Sequence, residues 1–272
     1  MREFAVCANH NTSGLALGGA VRLETIHRMQ PDEYRKMAEV EDGMWYYRAL
    51  QTHVDRELAR ELPANGGRVL DAGCGTGGLL RALQRGRPGW RLRGVDLSPL
   101  GCALARERTA LEIVEGSVHA LPFGDGVFDA VVSCDVLCQV TEPVAALREF
   151  LRVLRPGGTV VLTMPAYAWL FSYHDEQVGN LRRYTRRETK ALLTGAGFLP
   201  GRSTYWNTLP LPLAVLRRKI FPPREPASDV RLYPAPLEAM FNAMMALEFF
   251  WLHHVGPLPA GSTVLVVGRK PA

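Results

Sequence analysis

The chain has 272 residues, of which 47% are hydrophobic and 22% are charged. This length is enough for one large α/β domain, with or without a cap, and the composition excludes a chain that is disordered throughout. The formal net charge of +5 is small for a general polyanion binder, and basic residues are concentrated only in residues 182–190 and 217–224. We therefore expect no nucleic-acid partner.

The five cysteines form no CxxC pair and no metal-binding spacing with histidine. Reduced thiols in a cytoplasmic protein, with no metal site, are the expected state. Three of the cysteines are expected to be small buried groups near the glycine loop described below: Cys74, Cys134 and Cys138.

Residues 1–28 are expected to form a flexible arm, because the stretch 9–20 is small, polar and glycine-rich and has no helical or strand periodicity. The arm lacks an apolar core long enough for a convincing signal peptide. Pro31, followed by acidic residues, indicates a fresh helix start. Two interpretations stay open: the biological start is Met29, or the arm is a natural flexible segment.

Residues 31–62 are expected to form two helices with an aromatic cluster between them, which contains Trp45, Tyr46 and Tyr47. For each of these aromatics taken alone, a place in the core is the simpler interpretation.

Residues 69–78 combine a short apolar strand, an acid and a glycine loop, and helical periodicity resumes directly afterwards. Glycines allow the backbone to turn tightly and to lie against a ligand, so the loop is typical of a nucleotide site. The glycines also satisfy the dinucleotide pattern G-x-G-x-x-G. However, Asp71 would not favour a pyrophosphate, whereas it suits the sulfonium and ammonium of S-adenosylmethionine. Asp96, which closes the next strand, is placed to accept both ribose hydroxyl protons.

Strands and helices alternate regularly after the loop, which predicts parallel βαβ units with ligands at the carboxyl ends of the strands. The predicted strands are 69–73, 91–96, 111–115, 128–134, 158–164 and 198–205, and the predicted helices are 77–86, 99–108, 143–154 and 185–194.

With these motifs, and with residues 115–123, 128–137 and 154–159, the chain resembles the class I S-adenosylmethionine-dependent methyltransferases, in their small-molecule, methyltransferase-11-like branch. The resemblance implies a Rossmann-like doubly wound α/β sheet, mostly parallel with an antiparallel last strand at 262–270, plus a helical cap. It assigns the cofactor S-adenosyl-L-methionine to Asp71, Gly73, Cys74, Gly75, Gly77, Asp96, Leu97, Ser117, Val118, Cys134 and Asp135. Ser117 stands where relatives usually carry an aspartate that binds adenine, and Gln139 stands where many carry a histidine.

We expect a single methyltransferase domain over residues 29–272. It would comprise a helical lid at 29–62, a cofactor-binding core at 63–205, an apolar helical cap at 206–257 and the last strand. Prolines and polar residues interrupt the apolar stretches of the cap, so no membrane span is expected, while peripheral contact with a membrane stays open.

The segment after residue 164 resembles one that a bacterial branch of the family shares, with a histidine–acid pair and then an Arg-Arg-Tyr group. The resemblance makes His174, held by Asp175, the base for a hydroxyl or amine acceptor, although a structural histidine is an equal alternative. A carboxylate acceptor would need only Arg182 or Arg183 to hold it. Tyr184 completes the expected catalytic group.

These observations predict methyl transfer to an oxygen, nitrogen or carboxylate of a small, largely apolar or lipid-like molecule, with specialised metabolism as one setting. Two alternatives stay open: a non-catalytic subunit that binds S-adenosylmethionine, and a nicotinamide-dependent oxidoreductase. The acceptor and the oligomeric state are not predicted.

Overall fold

The computed structural model describes residues 29–223 and 228–272. The predictions for residues 1–28, a flexible arm and a biological start at Met29, concern a segment outside the described residues.

A seven-stranded sheet has the order β3-β2-β1-β4-β5-β7-β6. Strand β7 runs antiparallel to both of its neighbours, β5 and β6, whereas the pairings among β1 to β5 are parallel. The predicted fold, mostly parallel with an antiparallel last strand, is therefore confirmed. The strands are β1 (Arg68–Ala72), β2 (Arg91–Asp96), β3 (Glu112–Glu115), β4 (Phe128–Cys134), β5 (Leu154–Pro165), β6 (Leu199–Trp206) and β7 (Thr263–Arg269).

Helices cover both faces of the sheet, because strands such as β1 and β4 are apolar and buried along almost their whole length. One buried cluster joins the sheet to α2, α3 and α4, and a second joins it to α5 and α7. The helices are α1 (Pro31–Val40), α2 (Trp45–Glu61), α3 (Gly78–Gly86), α4 (Pro99–Thr109), α5 (Pro143–Val153), α6 (Tyr173–Gln177), α7 (Arg186–Ala196), α8 (Leu211–Val215) and α9 (Ala235–His254).

The aromatic cluster forms the first turn of α2, so its predicted place between two helices is wrong. The Glu238 carboxylate, which belongs to α9, accepts the backbone N–H of Trp45 at 2.9 Å. A distant side chain thus satisfies one of the free donors at the start of α2. The sequence around Trp45 gives no indication of this contact with Glu238.

The described part of residues 206–257, which we call the cap, contains α8, a π-helical turn (Leu216–Ile220) and α9. Helix α9 packs on α2 through stacking of Phe241 on Trp45, with ring centroids 4.7 Å apart. The buried carboxylate of Glu248 accepts the backbone N–H groups of Thr208 and Leu209, both at 2.7 Å, and ties α9 to the chain that leads into α8. Within the part of the chain that the structure describes, no helix has the length and apolar character to cross a bilayer.

Candidate functional site

A cavity of about 730 Å³ lies at the carboxyl ends of the parallel strands, roofed by α1, α2 and the cap. Its volume is in the range of about 300 to 1,000 Å³ that is common for small-molecule sites. All of the predicted cofactor residues except Gly77 line it. The edge where ligands of doubly wound sheets bind is therefore the edge where these side chains meet.

The glycine loop turns where side chains would not fit. Gly73 has a φ of +87°, and a Cβ there would overlap a methyl group of Val136. At Gly75, with a φ of +53°, a Cβ would lie 2.8 Å from the methyl carbon of Met37. The side chains of Val136 and Met37 take up the space beside these two residues, so both positions require glycine, and both line the cavity.

Gly77 plays a different role from the cofactor contact that was predicted for it. It lies outside the cavity lining, and a Cβ there would approach the Cβ of Ala105 to 3.0 Å. Its φ of +82° also places it in the left-handed region that favours glycine. Gly77 is therefore needed for the turn and for the close packing of α3 on α4.

Two buried acids face the cavity beside this loop. Burial, reinforced by the charge of Asp96, raises the pKa of Asp71 to about 7. Burial also raises the pKa of Asp96, although the backbone N–H groups of Ser98 and Gly75 oppose the shift with hydrogen bonds of 2.8 Å each. Because buried acids without a counter-charge are costly, both carboxyl groups favour a cationic or hydroxyl-bearing ligand.

Helix α1 covers the acid that is expected to bind ribose. The hydroxyl of Tyr34 donates to Oδ1 of Asp96 at 3.4 Å, which is a long hydrogen bond. A carboxylate has about four acceptor positions, and three are used here, so a second ribose hydroxyl would replace Tyr34. Tyr34 and Met37 were not predicted as site residues, because only the folded lid brings α1 over the glycine loop.

Past β3, Ser117 lies in the cavity wall, where the resemblance expects the adenine contact. Its Oγ accepts the backbone N–H of His119 at 3.2 Å. Leu97, Val118 and Gln139 also line the cavity and supply apolar and amide surface.

Asp135, directly after β4, has an unusual backbone and an incomplete hydrogen-bond set. Its φ is +57°, which is uncommon for a residue other than glycine. Oδ2 accepts the hydroxyl of Tyr46 at 2.9 Å, whereas the buried Oδ1 has no partner among the described residues. Burial raises the pKa of this carboxyl group. Because Asp135 lines the cavity, this carboxyl group is a candidate for contact with a ligand.

His174 also lines the cavity, and its hydrogen bonding fixes its tautomer. Nδ1 accepts the backbone N–H of Asp229 at 3.1 Å. Burial, together with the positive charge of Arg218, lowers the pKa of His174 to about 4, so the ring is neutral near pH 7. A neutral ring that accepts at Nδ1 carries its proton on Nε2 and offers the cavity a donor.

The predicted pairing of His174 with Asp175 is wrong. Asp175 bonds instead to Nε of Arg183 at 2.8 Å and to Nδ2 of Asn180 at 2.9 Å. Consecutive residues of a helix project about 100° apart, since there are about 3.6 residues per turn, so the acid faces away from the imidazole. Asp175 is a buried structural partner of Arg183.

Two other predicted catalytic residues lie outside the cavity lining. Arg182 reaches the carbonyl of Thr141 with Nη2 at 3.3 Å, on the surface. Tyr184 is buried, and its hydroxyl donates to the carbonyl of Leu137 at 3.2 Å. Both contacts hold the loop after β5 in place. Of the Arg-Arg-Tyr group, Arg183 alone lines the cavity.

Residues 70–162 match the family described as methyltransferase domain. The demethylmenaquinone methyltransferase of Thermus thermophilus is 40% identical over 100 residues, which are 35% of this chain and 46% of that protein. The demethylmenaquinone methyltransferase of Staphylococcus aureus is 30% identical over 165 residues, which are 49% of this chain and 68% of that protein. The chain belongs to the class I S-adenosylmethionine-dependent methyltransferases.

Solved methyltransferase structures have the same fold. One of them, from a complex with the Haloferax volcanii Trm112 methyltransferase activator, is 25% identical, with a TM-score of 0.59 over 88% of this chain and 98% of that one. S-adenosylmethionine is the cofactor of the family, so the predicted family and cofactor are confirmed and the nicotinamide interpretation is wrong. The chain spans 37% to 46% of the length of the first three curated relatives that it matches.

At its far end, the cavity of this methyltransferase is lined by residues that sequence reasoning missed: Asn207, Arg217, Arg218, Asp229 and Tyr233. The basic run that contains Arg217 and Arg218 was visible in the sequence, but the sequence did not indicate that these side chains line the cavity. Asn207 carried no signal: its φ of +60° and its buried Oδ1, which has no described partner, appear only in the fold.

Proposed function

We propose that the protein transfers a methyl group from S-adenosylmethionine to an oxygen, nitrogen or carboxylate of a small, largely apolar or lipid-like molecule. The relatives named above act, by their names, on demethylmenaquinone, which supports a small acceptor. In this proposal, residues 29–62 are the lid and residues 206–257 form the cap over the acceptor.

The main support for the proposal is that one continuous cavity extends from the glycine loop to the cap. Its wall runs from the glycine loop and Asp96, past Asp135, to the cap residues Leu213 and Phe241. A cofactor and an acceptor can therefore lie in the same cavity, as direct methyl transfer requires. The aromatic and aliphatic lining between the two ends suits an apolar acceptor.

The chain's own residues fit the cofactor. Gly73 and Gly75 line the cavity without side chains of their own, so their backbone can lie against the methionine part, and the buried carboxyl group of Asp71 suits its positive charges. Asp96 would hold the ribose. The bound cofactor supplies a methyl group on a positively charged sulfur, so much of the rate can come from positioning and from the exclusion of water.

Asp135 is the residue best placed to take a proton from a hydroxyl or amine acceptor. It lines the cavity, and burial raises its pKa, so its carboxylate is a stronger base than an exposed one. Tyr46 fixes the other oxygen at 2.9 Å. In this arrangement His174 would orient the acceptor by donating from Nε2.

The proposal is tested by the formation of S-adenosylhomocysteine from S-adenosylmethionine. The purified protein is supplied with a panel of quinols, phenols, fatty acids, lipid alcohols and polar metabolites. We expect product with at least one apolar acceptor and none with the polar metabolites. A protein that binds S-adenosylmethionine but yields product with no acceptor would instead support the non-catalytic subunit.

A further inference from the structure

The far end of the cavity carries two adjacent arginines that share one carboxylate. Arg217 Nε donates to Oδ1 of Asp229 at 3.0 Å, while Arg218 donates to Oδ2 from Nε at 3.0 Å and from Nη2 at 2.7 Å. All three residues line the cavity. Among the described contacts, Nη1 and Nη2 of Arg217 and Nη1 of Arg218 are not used.

The charges at this end do not balance among the residues that the structure describes. Arg183 is matched by Asp175, as a buried pair at 2.8 Å. Asp229 is then the single carboxylate in contact with Arg217 and Arg218. Among these described residues, one positive charge therefore remains unmatched beside the cavity.

Arg218, one of the two arginines, is largely shielded from water. The side chain of Arg218 is 12% exposed, against 37% for Arg217. Arg218 is also close enough to Arg183 to contribute, after burial, to the lowered pKa of that guanidinium. Like charges crowded in a poorly hydrated wall are costly, and an anion between them would remove the cost.

We propose that Arg217 and Arg218 bind an oxyanion of the acceptor, a carboxylate or a phosphate group, while the apolar part of the acceptor lies against the aromatic wall that includes Trp45 and Phe241. Guanidinium groups match such oxyanions with paired hydrogen bonds. The inference rests on the proposed function and narrows its acceptor class to amphiphilic anions. It also moves the anionic contact from the predicted Arg182 to the cap.

Three ten-carbon probes test the proposal: decanoate, decyl phosphate and decanol. Calorimetry on protein saturated with S-adenosylhomocysteine gives the affinity of each. We expect at least one anionic probe to bind about tenfold or more tightly than decanol, on the scale of charge-assisted hydrogen bonds. A preference for decanoate assigns a carboxylate, and a preference for decyl phosphate assigns a phosphate.

Variants separate this role from a structural one. Arg217→Gln should reduce the anion preference about fivefold or more, and Arg218→Gln should do the same if its fold survives. Asp229→Asn should tighten anion binding, because it removes the competing carboxylate. Arg187→Gln, on the exposed surface of α7, is the matched control and should change nothing. Retained affinity for S-adenosylhomocysteine shows that each variant is folded.

Equal binding of decanol and both anions would overturn the proposal, and so would weaker anion binding by Asp229→Asn. Neither result depends on turnover. Methyl transfer to a neutral acceptor would therefore uphold the proposed function while this inference failed, and the two failures are distinguishable.

Discussion

The imidazole Nδ1 of His174 accepts the backbone N–H of Asp229, 55 residues further along the chain, at 3.1 Å. This contact connects the loop after β5 to the cap and leaves the ring proton on Nε2. His174 is therefore arranged to donate, and the carboxylate of Asp135 is the stronger candidate for proton acceptance.

Substitutions at these two residues should separate the roles. Asp135→Asn should lower turnover of a hydroxyl or amine acceptor about a hundredfold or more, the scale of general-base catalysis. His174→Gln, which retains a donor, should stay within about tenfold of the parent. Initial rates of S-adenosylhomocysteine formation give both values. A larger loss for His174→Gln than for Asp135→Asn would restore His174 as the base.

Cofactor affinity should depend on pH through Asp71. The pKa of this carboxyl group is raised to about 7 by burial and by the charge of Asp96, so it holds its proton below pH 7 in the protein without ligand. A cationic ligand favours the carboxylate, and binding must release that proton. Affinity for S-adenosylmethionine should thus rise about tenfold from pH 6 to pH 8.

Calorimetry at both pH values, with Asp71→Asn as the control, measures this dependence. The variant should lose most of the rise. An affinity for the parent protein that is flat, or that falls with pH, would show that Asp71 does not meet the positive charge.

Adding a single methyl group to the glycine loop should lower the stability of the protein. Gly73→Ala places a Cβ into Val136 at a φ of +87°, and strain of this kind costs about 1 to 3 kcal/mol. Gly86→Ala is the matched control: it lies on α3, has no atom within 4 Å of the added Cβ, and should be neutral or slightly stabilising. Thermal melting compares the two. Equal melting temperatures would mean that the loop relaxes around the added methyl.

The buried pair of Arg183 and Asp175 should be a stability determinant. Their side chains are 2% and 0% exposed. Arg183→Met leaves a buried carboxylate without its partner, which costs about 3 to 5 kcal/mol of unfolding free energy. Arg182→Met, at the neighbouring surface position, should change it by less than about 0.5 kcal/mol. Urea denaturation distinguishes them, and a small effect at Arg183 would mean that Asp175 is reached by water or takes up a proton.

The core of the fold was predictable because its signals are local. The apolar run that ends at Asp71, the glycine loop and Asp96 lie within one βαβ unit, and their order along the chain determines their order in space. The acceptor end was not predictable, since it joins His174, Arg217 and Asp229 from separate segments. Adjacent residues such as His174 and Asp175 suggested a pair, but helical geometry directs them apart. Tyr46 and Asp135, 89 positions apart, meet only through the folding of α2 over the sheet.

A crystal structure of the protein with S-adenosylhomocysteine would test whether methyl transfer takes place in this cavity. We expect the ribose hydroxyls on Asp96, the amino-acid part along Gly73 and Gly75, and the sulfur facing open space beside Asp135. The remaining space should extend to the cap and to Arg217. A cofactor product that lies elsewhere, or whose sulfur faces away from Asp135 into packed protein, would contradict methyl transfer in this cavity.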